Sequence, residues 1–178
     1  MEFVRAWGGA VILALLMTAC YSGGGPNRSI SGSGGPGALA GAPAASYDVK
    51  RLDGSVDSLA RYRGSVVLMN LWATWCPPCL QEVPDLQRFS KEFAGRGVVV
   101  LGIDQGESAT AAGAFARSHS VTYRILVDED QQYGRTYKAI GLPTTVIIDR
   151  AGHVARAVDG PLTLAQMRDA VAPVLKEK

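Results

Sequence analysis

From Val66 to Trp72 every position is apolar except Asn70, and such an unbroken run predicts a strand covered on both faces. Immediately downstream the spacing changes. Leu80, Val83, Leu86, Phe89 and Phe93 recur every three or four positions, the stripe of an amphipathic helix over Pro77 to Phe93. Pro84 falls inside that stripe and is expected to kink the helix, because it removes a backbone donor and crowds the preceding turn. Gly95-Arg96-Gly97 ends it, and Val98 to Ile103 repeats the buried-strand pattern. Further along, Ser108 to Ser118 predicts a helix, Arg124 to Val127 a short strand, and Gln131 to Lys138 another helix. Pro143 to Ile148 and His153 to Val158 predict a hairpin around Asp149-Arg150-Ala151-Gly152. Thr163 is placed to cap a closing amphipathic helix that reaches Leu175. Strands alternating with helices predict an α/β fold: a central, partly parallel sheet with helices on both faces and an antiparallel hairpin at one edge.

The N-terminal part breaks this rhythm. Gly8 to Met17 is apolar and follows Arg5, but it is about half the roughly 20 residues that a membrane-spanning helix needs. It reads as a secretory signal over residues 1–19, with small residues before a cut. Cys20 then stands where bacterial lipoprotein signals place the cysteine that is lipidated. The other reading is an ordinary signal peptide with an incidental cysteine, but an odd cysteine in an exported protein needs a fate. Two or more acyl chains would make a stable anchor where one would not. Residues 20–46 read as a flexible linker: 21 of the 25 residues from Ser22 to Ser46 are Gly, Ser, Pro or Ala. Such a coil spans on the order of 28 Å. Residues 47–178 are left as a single folded domain with enough chain for one core. The net charge of +2, from 18 basic and 16 acidic residues with no basic run, gives no reason to expect a nucleic-acid partner.

Candidate chemistry sits where the first long strand hands over to the first helix. Cys76-Pro77-Pro78-Cys79 places two thiols three positions apart at that junction, the arrangement of a reversible dithiol/disulfide centre. In a helix starting near Pro77, Cys76 is the N-cap, where free N–H groups and the helix dipole favour a thiolate. Cys76 is therefore the expected nucleophile and Cys79 the resolving thiol. Proline is tolerated at these first positions because their N–H groups have no partner within the helix. A static staple or half a zinc site is the competing reading. Zinc takes about four ligands, and only His119 and His153 remain to supply them, so no metal and no separate cofactor are expected beyond the Cys76–Cys79 pair. Neither intervening proline brings a donor or a charge to the thiolate. Strongly oxidising and thioredoxin-like centres differ by about 150 mV, roughly 7 kcal/mol, and lowering a thiol pKa from about 7 to 3.5 accounts for roughly 5 kcal/mol of it. Weak thiolate stabilisation therefore predicts a reductant. Glu82, one turn beyond Cys79, either complements the helix dipole or, if partly buried, moves protons for the pair. Trp75 is expected at a docking surface and Trp72 in the core. His119 and His153 are expected at the surface. Asp104 and Glu107 fall at a strand end near the pair and read as loop residues.

Taken together, Asn70-Leu71-Trp72-Ala73-Thr74-Trp75-Cys76-Pro77-Pro78-Cys79, Glu82, Pro84, Gly141-Leu142-Pro143-Thr144-Thr145 and Ile147 to Gly152 resemble the TlpA/ResA branch of the thioredoxin superfamily. The resemblance covers Tyr47 to Lys178. It implies a thioredoxin fold with an N-terminal extension, and a strand–helix insertion between Asp104 and Lys138. Proteins of that branch are typically exported, membrane-attached and reductive, and several serve cytochrome c maturation. Only about 5–6% of X–Pro bonds are cis in general, which favours trans. The resemblance instead implies a cis Pro143 lying against the dithiol and exposing the backbone of Leu142 to an extended client, in the strand-addition mode. With Trp75, Pro77 and Pro78, these residues form the expected substrate-binding surface. The matching glutamate of such proteins lines the active-site cavity and tunes the cysteine pair. One departure from thioredoxin is Asn70, which stands where that protein carries a buried acidic residue.

The expected activity is thiol–disulfide exchange at the extracytoplasmic face of the cell membrane by a lipid-anchored monomer. Its expected partners are protein disulfides, with apocytochrome c as a candidate client, and an upstream membrane reductant of unknown identity. An oxidising foldase of the same fold is the nearest alternative. A peroxiredoxin fits less well, because its threonine precedes the peroxidatic cysteine by three positions whereas Thr74 precedes Cys76 by two. A copper-delivery lipoprotein would want a longer cysteine spacing and a well-placed histidine.

Overall fold

The computed structural model describes residues 39–176; the signal segment, Cys20 and the first part of the linker lie outside the described residues. Strands β1 (Val49–Arg51) and β2 (Val56–Asp57) and a 3-10 turn (Leu59–Tyr62) precede the elements foreseen from the hydrophobic pattern. Those elements follow in chain order: β3 (Val66–Trp72), α1 (Pro77–Phe93), β4 (Val98–Gln105), α2 (Ala109–Ser118), β5 (Arg124–Asp128), α3 (Gln132–Thr136), β6 (Thr144–Ile148), β7 (Val154–Asp159) and α4 (Leu164–Lys176). They build one seven-stranded mixed sheet of order β2-β1-β5-β4-β3-β6-β7, with β3, β4 and β5 mutually parallel and the flanking strands antiparallel. This is the thioredoxin-type fold with its N-terminal extension.

Every residue of β3 is buried, as an unbroken apolar run requires of a strand covered on both faces. Alternation then divides its side chains. Val66, Leu68 and Trp72 join the core under α1, α2 and α4, whereas Val67, Met69 and Leu71 face α3 and the N-terminal segment. The parallel strands end on the same sheet edge, and the C-terminal end of β3 is where the chain turns into α1.

Three features depart from the sequence expectations. First, β1 and β2 have three and two residues, too short to show a period. Their place is set by pairing with β5 and by the Asp57 carboxylate, which accepts hydrogen bonds from Arg51 Nε, Ser58 N and Tyr62 Oη. Second, α3 is trimmed to Gln132–Thr136, because Gln131 and Lys138 adopt positive φ of 53° and 51°. Third, the linker boundary at residue 46 is corrected: the folded unit already includes Leu39 to Ser46. Gly41 N donates to Val154 O at 2.7 Å, Val154 N to Ala42 O at 2.9 Å, and Ala44 N to Gly152 O at 2.8 Å. Leu39, Ala44 and Ala45 pack on the Tyr133/Tyr137 side of the core, and Tyr137 Oη donates to Ala45 O. Small residues let this segment approach the start of β7, whose backbone groups need partners. Composition registers the small residues but not the sheet edge waiting for them. No helix among the described residues is long and apolar enough to cross a membrane.

Candidate active site

The turn after β3 brings Cys76 to the N-cap of α1 in extended backbone conformation, and Cys79 N donates to Cys76 Sγ at 3.2 Å. The two sulfurs are bonded at 2.01 Å, with both cysteines buried. Pro77 and Pro78 occupy the first helical positions, where the missing N–H groups cost nothing. Trp75 stands out beside the pair, 67% exposed, while Trp72 is buried and its ring lies 4.6 Å from that of Phe115.

β6 brings the second half of the site. Thr144 lies opposite Leu71 in the antiparallel β3–β6 register, so Pro143 falls at the sheet edge where the Cys76 turn begins. The Leu142–Pro143 bond is cis. Hydrogen bonds around the turn hold this segment: the single Thr144 Oγ1 proton is shared between Gly141 O at 2.8 Å and Asp159 Oδ1 at 2.6 Å, and Gly160 N donates to Pro143 O at 2.8 Å. Leu142 is half-buried, and Ile140 just before it is 83% exposed. Sequence patterning did not single out Ile140; an apolar side chain in a loop carries no signal of its own.

Glu82 lies on the inner face of α1, 2% exposed. Its Oε2 accepts from Asn70 Nδ2 at 3.0 Å and its Oε1 from Leu162 N at 2.8 Å. Burial pushes its carboxyl up to about 7, against the lowering influence of those two hydrogen bonds. Asn70, noticed only as a departure from thioredoxin, is thus the side-chain partner of Glu82. Tyr123 is buried near this acid, and its hydroxyl is pushed well above the ordinary phenol range by burial and by the charge of Glu82.

Glu107 does more than a loop residue. Its carboxylate accepts from Thr74 N and Thr74 Oγ1, both at 2.6 Å, and so holds the turn that carries Trp75 and Cys76. Asp104 belongs to β4 itself and is fully buried. The sequence placed both near the site, but a clamp between residues 33 positions apart has no local signature. His119 is exposed and stacks on Phe115, and His153 is half-buried in the β6–β7 turn.

This arrangement suits thiol–disulfide exchange. A sulfur at a helix N-terminus is bonded to a second sulfur one turn on, and an exposed aromatic and a backbone edge lie beside it.

Comparisons with known proteins agree. The AhpC/TSA family model matches residues 40–157. The thiol-disulfide oxidoreductase ResA of Bacillus subtilis is 32% identical over 129 residues, covering 72% of each chain. The thioredoxin-like protein YneN of the same organism is 35% identical over 129 residues, covering 71% of this chain and 75% of its own. Among solved structures, a thioredoxin-family thiol:disulfide interchange protein of Chlorobium tepidum superposes with a TM-score of 0.66 at 28% identity, covering 75% of this chain and 95% of that one. A secreted thiol-disulfide isomerase of Corynebacterium glutamicum gives a TM-score of 0.68 at 25% identity, covering 75% of this chain and 86% of that one. With its buried Cys76–Cys79 pair at the tip of α1, the chain belongs to the AhpC/TSA family and is an enzyme of the thiol–disulfide oxidoreductase type.

Proposed function

We propose that the protein works as a lipid-anchored reductant outside the cytoplasm, with Cys20 as the anchor, and opens disulfides in exported proteins, apocytochrome c among them. The Cys76 thiolate attacks one sulfur of the client disulfide, forming a mixed disulfide and releasing the other client sulfur as a thiolate. Cys79 then gives up its proton and attacks Cys76 Sγ. The Cys76–Cys79 bond closes and the second client sulfur leaves. Two electrons pass to the client, and an upstream membrane dithiol restores the pair. Glu82, one helical turn beyond Cys79 and poised near neutrality by burial, is the acceptor for the Cys79 proton. Trp75, Pro77 and Pro78 form one side of the client groove, and the backbone at Leu142 and Pro143 the other. The protein acts as a monomer.

One observation carries the reductive direction: among the described residues, the only hydrogen bond to Cys76 Sγ comes from the Cys79 N–H, with two prolines in between. Little therefore stabilises the Cys76 thiolate, and a poorly stabilised thiolate makes a reducing centre. The test is the reduction potential of the full chain in detergent. A value near or below the thioredoxin level of about −270 mV is expected, and one near about −120 mV would identify an oxidant instead. Replacing Cys79 with serine should trap clients on Cys76 in native membranes, and Cys20→Ala should release the protein from them. Apocytochrome c among the trapped proteins is the expected result for the client.

A further inference from the structure

We propose that Asp104 and Glu107 act as one carboxyl pair behind the Thr74–Cys76 turn, with Glu107 as the clamp on Thr74 and Asp104 as a neutral, proton-bearing partner, positioned to keep a further negative charge away from Cys76. The inference concerns how the pair is tuned and holds whichever way electrons flow.

The geometry comes from parallel pairing. Asp104 lies opposite Trp72 on the last shared rung of β3 and β4, directly before the chain enters the Ala73–Cys76 turn. Its side chain is fully buried, and among the described residues no hydrogen bond of ordinary geometry reaches either carboxyl oxygen; the polar groups that bear on it are the carboxyl and the backbone of Glu107. An ionised carboxylate is not held in such a place without a partner, whereas a neutral carboxyl group is. The neighbours on the sheet, Trp72 from β3 and Val127 from β5, carry no charge. From α2, Ala112 and Phe115 enter the same core. The charged groups that act on Asp104 are both acidic, Glu107 from the following loop and Asp128 from the end of β5. On α1, the buried acid Glu82 is already engaged by Asn70 and Leu162. Burial first, and the Glu107 carboxyl next, push Asp104 up to about 8.

Glu107 is well partnered by contrast: its two oxygens take the N–H and the hydroxyl of Thr74. The two carboxyl groups therefore differ in role: Glu107 takes the hydrogen bonds of the turn, and Asp104, buried without a partner, keeps its proton. While Asp104 is neutral it adds no charge behind the turn. Once it ionises, its negative charge opposes the Cys76 thiolate of the reduced protein.

The test compares the full chain with Asp104→Asn, which keeps the shape and stays neutral at every pH. Both are equilibrated in dithiothreitol redox buffers between about pH 6 and 9, and the fraction with Cys76–Cys79 reduced is measured. The two proteins should share the same equilibrium constant at the acid end. At the alkaline end the wild type should be harder to reduce by on the order of threefold or more, the scale of one added charge at an effective dielectric of about 20. A ratio that stays flat across the range overturns the proposal. Infrared spectra of the oxidised wild type give a second measurement that needs no variant. A protonated-carboxyl band should persist at higher pH than the band from Glu82, and its absence overturns the proposal as well.

Discussion

Asn70 Nδ2 donates to Glu82 Oε2 at 3.0 Å and to Thr145 Oγ1 at 3.0 Å, so a single amide on β3 ties α1 to β6 inside the core. Leu162 N donates to the other oxygen of Glu82 from the turn before α4. The Glu82 carboxyl, one turn beyond Cys79, is therefore held by two separate parts of the chain, β3 and the turn before α4. Its burial has a consequence for stability.

Glu82 ionises at its ordinary value near 4.5 in the unfolded chain, but near 7 in the folded one. Below about pH 4 it is protonated in both states and costs nothing. Between these two values the unfolded state ionises first, so stability falls as pH rises; above about 7 the loss is complete, on the order of 3 kcal/mol. Urea unfolding of oxidised wild type and Glu82→Gln should show this. The stability of wild type relative to the variant should fall by roughly 2–3 kcal/mol from about pH 4 to 8. A constant gap would place the titrating group elsewhere.

Asp57 should show the opposite pH dependence. Burial alone would raise its carboxyl, but hydrogen bonds from Tyr62 and Arg51 outweigh burial and hold it below the ordinary carboxylate range. Its stabilisation is present above the unfolded value and is lost as pH falls through the folded one. At neutral pH Asp57→Asn should destabilise the protein by about 3 kcal/mol, because it leaves the Ser58 and Tyr62 donors and Arg51 without their anion. The gap between the two proteins should shrink in acid, as followed by urea titration.

Gly102 on β4 tests how tightly the sheet packs against the site. A Cβ there would lie 3.0 Å from Trp72 Nε1 and 3.0 Å from Tyr123 Cε2. Both rings are buried, so neither moves aside freely. Gly102→Ala should cost about 1–3 kcal/mol and alter the near-ultraviolet circular dichroism of the Trp72 environment, without unfolding the protein.

The N-terminal segment gives a test of the domain boundary. A chain starting at Tyr47 should be less stable than one starting at Leu39 by about 2 kcal/mol, from the lost edge hydrogen bonds and packing. The amide of Val154, bonded to Ala42 O at 2.9 Å, should exchange with solvent faster in the shorter chain. Equal protection would mean that residues 39–46 contribute nothing to the fold.

The sequence alone determined whatever is written in neighbouring positions. Alternation and helical spacing outlined β3 to β7 and α1 to α4 to within a few residues, because burial on one or both faces constrains residues two to four apart. The spacing of Cys76 and Cys79 and the prolines between them indicated a redox pair at a helix tip for the same reason. Only the tertiary structure decided which polar groups meet: Glu82 with Asn70 and Leu162, Glu107 with Thr74, Asp57 with Arg51 and Tyr62, and Gly41 to Ala44 with β7 and the turn before it. Most of these pairings join residues many positions apart. Whether a carboxyl group is neutral or charged depends on what the rest of the chain lays over it, a property of the folded molecule that no run of neighbouring residues encodes.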